Sequence, residues 1–137
     1  MTRDIELILP AKVYEKLMKL SDSIDITLSE AVETICARVF DSRYVMGEIG
    51  MFFKKSLIVE KTFYMGCSVL RFKPSRVDEK LRVNINVPDH LFRSLDAISY
   101  SLDSSISDAI VLILEFFLGE RKAFYSTERI SQIKYIK

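Results

Sequence analysis

The two asparagines of the chain, Asn84 and Asn86, stand together in the run Arg82-Val83-Asn84-Ile85-Asn86-Val87-Pro88. Successive side chains of an extended segment point to opposite faces, so Arg82, Asn84 and Asn86 share one face. Val83, Ile85 and Val87 share the other. Arg presents a planar fork of donors, and Asn presents a donor beside an acceptor. The chemistry this allows is recognition by paired hydrogen bonds, such as Arg on guanine O6 and N7 or Asn on adenine N6 and N7. Asparagine is disfavoured in strands, which weighs against an ordinary solvated face. Nothing comparable suggests catalysis. His90 is the one histidine and lies near a helix start, where it suits a surface or cap position. No Gly-rich phosphate loop, Cys/His metal spacing or nucleophile motif is present. The six tyrosines and nine phenylalanines fall mostly at core spacing, which leaves a cofactor site little support. The expectation is a non-enzyme with no metal, cofactor or small-molecule substrate.

Composition bounds the elements that could position this face. A chain of 137 residues makes one domain, or two small ones sharing a core. Nearly half of it is apolar, enough for a sizeable core. The longest apolar run, Ile106–Leu118, is broken by Ser107, Asp108 and Glu115 and is too short to span a bilayer. Arg3, Asp4 and Glu6 charge the start, so signal-peptide character is absent and a cytoplasmic location is expected. Cys36 and Cys67 both lie in apolar surroundings, which suits buried thiols, although two are enough for one disulfide. Scarce Asn and Gln hint at a thermophile host.

The net charge of +1 hides a segregation into blocks. Residues 1–45 carry −2, residues 46–81 carry +3, residues 82–119 carry −3 and residues 120–137 carry +3. Such blocks can simply solubilise the chain, or the basic ones can supply the positive field that an anionic partner needs.

An internal repeat organises the rest. Residues 5–40 lie without gaps on 83–118 at an offset of 78. Eight positions are identical, among them Pro10/Pro88, Leu17/Leu95, Ser29/Ser107 and Ala31/Ala109. Most other apolar positions agree in character, and the punctuation matches, so internal duplication is the better reading. Each copy opens with a period-two strand, Ile5, Leu7, Leu9 in one and Val83, Ile85, Val87 in the other. A proline follows, expected at the first helical position. Val13, Leu17 and Leu20, matched by Leu91, Leu95 and Ile98, make an apolar helical stripe. The chain breaks at SDSID and SYSLD. Thr27 with Glu30, and Ser105 with Asp108, have capping-box spacing. A second helix follows through Val32, Ile35, Cys36 and Val39, and through Ile110, Ile113, Leu114 and Phe117.

One strand–helix–helix unit leaves its strand unpaired and its apolar side open. Two units solve both problems by pairing their strands antiparallel over interlocked helices. This layout resembles the ribbon-helix-helix superfamily of Arc and Met repressors. The strand-ending proline and the [ST]-x-[ST]-[DE]-A start of the second helix, TLSEA (27–31) and SISDA (105–109), carry the resemblance over about 38 residues of each copy. Tandem copies in one chain look like regulators of archaeal viruses and plasmids. The resemblance implies a mainly α fold with a short antiparallel β-ribbon, its two repeats forming an intrachain pseudo-dimer with an inserted β-hairpin. The corresponding divisions are 1–45 for repeat 1, 46–81 for the basic insert, 82–119 for repeat 2 and 120–137 for the basic tail.

It also implies a sequence-specific, double-stranded DNA-binding transcriptional regulator or repressor, its ribbon in the major groove. Arg82, Asn84 and Asn86 are then the base readers. The first strand departs from this pattern, because its outward residues are Asp4, Glu6 and Ile8. Phosphates repel carboxylates and Ile8 makes no polar contact, although a carboxylate can accept from cytosine N4. Base reading by this strand is doubtful, and its main role is expected to be pairing. The amide ends of the second helices, Thr27–Leu28 and Ser105–Ile106, would position phosphates.

Two pairings satisfy the sequence. Pairing within the chain gives an asymmetric ribbon, and pairing of second copies in a homo-oligomer gives Arg-Asn-Asn twice and a palindromic site. Local concentration favours the first. In the insert, SLIVEKTFY (56–64) and SVLRF (68–72) predict a hairpin around the Met-Gly-Cys break, Gly47 and Gly50 are expected after the second helix, and Pro74-Ser75 marks a loop. IVLILEFFL has no polar face and needs a cover, from the hairpin, the tail or another chain. The tail, with Ile130, Ile133 and Ile136 among basic residues, could be a helix, a strand or a flexible arm. The acidic first strand and small net charge also suit a protein-interaction module, such as an antitoxin or assembly factor.

Overall fold

The computed structural model describes residues 1–59, 61–66 and 79–120. In chain order these form β1 (Thr2–Pro10), α1 (Ala11–Ser23), α2 (Leu28–Asp41), α3 (Arg43–Gly50), β2 (Leu57–Val59), β3 (Thr62–Tyr64), β4 (Lys80–Pro88), α4 (Asp89–Leu102) and α5 (Ile106–Phe117). The described part is a mixed α/β fold, mostly helical, in which the order strand, helix, helix occurs at both ends.

β1 and β4 pair antiparallel along their whole length, from Thr2 opposite Pro88 to Pro10 opposite Lys80. Their period-two pattern explains the ribbon's two faces. Ile5, Leu7, Leu9, Ile85 and Val87 are buried against the helices, and Val83 is partly buried. Asp4, Glu6, Ile8, Arg82, Asn84 and Asn86 face outward and are exposed. Each strand ends in a proline that occupies the N-cap of the following helix, one position before the expected one. The fixed φ of proline, −58° at Pro10 and −59° at Pro88, carries the chain from extended to helical backbone.

Many local contacts recur at an offset of 78 residues. The amide of Ala11 donates to the Glu79 carbonyl at 3.1 Å, and that of Asp89 to the Met1 carbonyl at 3.2 Å. Asp25 and Asp103, with φ of 55° and 57°, take the left-handed turn after the first helix of each unit. Aspartate is among the few side chains that visit this region at modest cost. Just beyond, Ile26 donates to Ser21 O and Ser104 to Ser99 O, both at 3.0 Å. The second helices begin on hydroxyl caps, Thr27 Oγ1 accepting from Glu30 N and Ser105 Oγ from Asp108 N, both at 3.1 Å. Only the first is a full capping box, because Glu30 Oε1 accepts from Thr27 N at 3.0 Å. The shorter Asp108 instead accepts from the Ser104 hydroxyl at 2.5 Å.

The apolar stripes meet in one core. Leu17, Ile35, Cys36, Leu95, Ile98, Ile110 and Ile113 are buried together with the inner ribbon face. α5 is buried continuously from Ala109 to Glu115 and packs on β1, α2, α3 and α4, which accounts for its missing polar face. Phe117, expected on the inner stripe, is instead exposed at the end of the helix.

The insert adds elements to those expected. Gly47 and Gly50 follow the end of α2 and lie within α3, a short helix started by the Ser42 hydroxyl, which accepts from Val45 N at 3.2 Å. α3 contacts α5, and Met46, Ile49 and Phe53 are buried in the common core, so this segment supplies cover expected from elsewhere. Among the described residues a hairpin forms inside residues 57–64, with Leu57 opposite Tyr64. Lys61 takes the left-handed turn conformation, with φ of 66°, and lets the run fold back on itself. The expected strand 68–72, the loop at Pro74-Ser75, Cys67 and tail residues 121–137 lie outside the described residues. Among the described residues no single helix is long and apolar enough to cross a membrane, and α4 with α5 reach that length only as a pair bent by 94°.

Candidate functional site

The outward ribbon face is built from cross-strand rungs. Asp4 lies opposite Asn86, Glu6 opposite Asn84, and Ile8 opposite Arg82. Glu6 and Asn84 are also related by the sequence offset, so the pairing register is symmetric about their rung. The expected base-reading residues, Arg82, Asn84 and Asn86, therefore share one exposed surface with Asp4, Glu6 and Ile8. Asn86 Nδ2 donates to Asp4 Oδ1 at 2.5 Å. Arg82 Nη1 stands 3.6 Å from Glu6 Oε1, with side chains 78% and 56% exposed, a loose ion pair that water weakens. The polar face thus carries its own counter-groups, and its two ends differ. Lys80 and Arg82 mark one end and Asp4 the other.

The helix starts are tied to the outer edges of this ribbon. Ile8 N, on the free edge of β1, donates to Ser107 Oγ at 3.0 Å. Asn86 N, on the free edge of β4, donates to Ser29 Oγ at 2.9 Å. These contacts place Thr27–Leu28 beside the Asp4–Asn86 rung and Ser105–Ile106 beside the Ile8–Arg82 rung. Thr27 and Ser105 are caps, and the α2 start already holds an anion. The hydrogen bonds from Thr27 backbone and side chain hold the Glu30 carboxyl below its usual pKa. A carboxylate there is favoured by the helix dipole.

The sequence reading missed a second charged group. Arg3 Nε donates to Asp89 Oδ1 at 3.0 Å, and its guanidinium lies 4.7 Å above the Phe92 ring. Arg93 Nε stands 3.0 Å from Asp89 Oδ2. The Arg3 hydrogen bond, opposed in part by desolvation and helped by the Arg93 charge, lowers the Asp89 pKa. The four-residue spacing of Asp89 and Arg93 was a readable signal, whereas nothing local joins Arg3 to Asp89. Ser29 and Ser107 were visible as identical positions, but their ribbon contacts were not.

Lys54 and Lys55 of the insert do not approach the ribbon. Lys54 reaches Asp103 at 3.5 Å and Lys55 lies 3.7 Å above the Tyr100 ring, both at the C-terminal end of α4. That end is about 20 Å along the helix from the ribbon. Arg71, Lys73 and Arg76 lie outside the described residues. His90 is exposed and, with Phe40, Asp41 and Leu91, borders a cavity of about 130 Å³ between α2 and α4. Comparison of the chain with known protein families, with curated proteins and with solved structures found no match.

Proposed function

We propose that the chain is a double-stranded DNA-binding transcriptional regulator of the ribbon-helix-helix kind, two repeats forming a pseudo-dimer within one chain. The observation that carries this is the exposed antiparallel ribbon with a helix N-terminus hooked to each outer edge through Ser29 and Ser107. A two-stranded ribbon fits the major groove of B-DNA. Side chains on its outer face meet base edges, and amide groups at flanking helix starts meet phosphates. In this reading Arg82, Asn84 and Asn86 read bases, and Thr27, Leu28, Ser105 and Ile106 position the backbone. The role is non-enzymatic and belongs to the cytoplasm of the host cell.

Titration of labelled duplexes by the full chain tests it. Binding should weaken steeply between 50 and 200 mM salt, because phosphate contacts release counterions. Asn84→Ala with Asn86→Ala should sharply reduce sequence preference while leaving salt-dependent binding and the guanine preference that Arg82 supplies. Retention of full preference by that double variant would refute the assignment of the ribbon face.

A second reading is a protein-interaction module with reduced DNA binding. It is favoured by the Asn86–Asp4 hydrogen bond and the loose Arg82–Glu6 ion pair, in which the two carboxylates lower the positive field of the face. A partner that co-purifies, with no duplex bound at low salt, would select this reading.

A further inference from the structure

We infer that the ribbon recognises a non-palindromic duplex in a single orientation, with the Asp4–Asn86 rung taking an exocyclic amine of adenine or cytosine and the Ile8–Arg82 rung taking guanine beside a thymine methyl. This rests on the proposed DNA reading and adds the chemistry of the site it selects.

The inference follows from comparing the two ends of the symmetric register. Turning the ribbon end over end about the Glu6–Asn84 rung exchanges Asp4 with Arg82 and Ile8 with Asn86. A carboxylate takes the place of a guanidinium, and a hydrocarbon the place of an amide. The backbone is closely matched at the two ends, but the surface offered to base edges is reversed in polarity. A duplex that fits one orientation therefore clashes electrostatically with the other.

The chemistry of each end is specific. At the Asp4–Asn86 rung, one Asn86 N–H is given to Asp4. What remains is rich in acceptors, namely the carboxylate oxygens and the amide oxygen, with one N–H left over. Such a group suits the N6 amine of adenine or the N4 amine of cytosine and is repelled by guanine O6 and N7. At the opposite rung, Arg82 is highly exposed and only loosely held by Glu6. Its guanidinium is free to turn to guanine O6 and N7 in a fork. Ile8, the cross-strand neighbour of Arg82, is 40% exposed and offers an apolar contact to the C5 methyl of thymine. Arg3, the nearest other cation on β1, is held by Asp89 and Phe92 and does not reverse this polarity. Asp4 and Ile8, doubtful base readers by sequence, become specificity determinants.

Selection from random duplexes with the full chain tests the inference. The wild type should enrich a motif without dyad symmetry, bearing an adenine or cytosine amine toward one end and guanine with thymine toward the other. The triple variant Asp4→Arg, Glu6→Asn, Ile8→Asn gives β1 the outward residues of β4 and should enrich a palindrome instead. Asp4→Asn, nearly isosteric, serves if the triple variant fails to fold. It should relax preference at the amine-bearing position roughly tenfold while leaving the guanine position unchanged. A palindrome enriched by the wild type, or an unchanged preference in Asp4→Asn, overturns the inference while leaving DNA binding intact. Failure of the wild type to enrich any duplex removes the DNA reading itself and the inference with it.

Discussion

Ile8 and Ser107, 99 positions apart, are joined by a hydrogen bond from the Ile8 amide to the Ser107 hydroxyl at 3.0 Å. Asn86 and Ser29 repeat the contact at 2.9 Å on the other edge of the ribbon. A two-stranded ribbon has no inner strand, so every second amide on each strand lacks a ladder partner. The serines take one such amide on each edge and thereby set the angle between ribbon and second helix. Ser29→Ala and Ser107→Ala should each cost about 0.5–1.5 kcal/mol, the net worth of one such bond. Urea titration measures this, and a double variant as stable as wild type would show that the contacts hold nothing.

Leu17 and Leu95 are fully buried, one in each strand–helix–helix unit, and belong to one core. Leu17→Ala or Leu95→Ala should cost roughly 2–5 kcal/mol. Because each half completes the sheet and core of the other, thermal unfolding should remain a single transition in both variants. Two resolved transitions in calorimetry would contradict the shared core.

Acid should weaken the fold through carboxyls whose pKa values lie below their ordinary values. Glu30 is lowered by the Thr27 hydrogen bonds, and Asp89 chiefly by its hydrogen bond to Arg3. A depressed folded-state pKa contributes stability that is complete above the unfolded value, near pH 4, and is lost as pH falls through the folded value. The difference in urea midpoint between wild type and Asp89→Asn should therefore be larger at pH 6 than at pH 3. An equal difference at both pH values would exclude the Arg3–Asp89 contribution.

Burial pushes the Cys36 thiol up to about 12, and the nearby Glu33 charge adds to the shift. The thiolate is the reactive form. In a Cys67→Ser background, Cys36 should stay unmodified by a disulfide reagent at pH 8 and react fully once the protein is unfolded. Rapid reaction of the native protein would show that the α2 face is not closed.

Gly66 closes the hairpin segment against the chain before β2. Its amide donates to Ser56 Oγ at 2.9 Å, and a Cβ there would lie 2.5 Å from the Lys55 carbonyl carbon and the Ser56 nitrogen. Backbone atoms cannot yield as a side-chain tip can, so Gly66→Ala should destabilise by about 1–3 kcal/mol. Hydrogen exchange should speed up in residues 57–64 while the β1–β4 ribbon keeps its protection. Unchanged exchange in the hairpin would deny the close approach.

Much of the fold was legible because its signals are local. Alternation in 5–9 and 83–87 marked both strands and their inner faces, and the apolar stripes marked the helices they meet. The hydroxyl caps at Thr27 and Ser105 were readable from three-residue spacing. α3 was not, because Gly47 and Gly50 are poor helix formers. Burial of Met46 and Ile49 against the core overrides that propensity. The turn inside 57–64 was not legible, since Lys61 adopts a positive φ that its type seldom takes.

By itself the sequence determined which side chains share a face, because alternation along an extended backbone is a property of each strand alone. It therefore settled that Arg82, Asn84 and Asn86 point one way and Asp4, Glu6 and Ile8 likewise. Only the tertiary structure decided that the two sets face out from one ribbon, with Asp4 against Asn86 and Glu6 against Asn84. Strand partnership depends on which apolar faces fill a common core, and that sum runs over residues far apart in the chain.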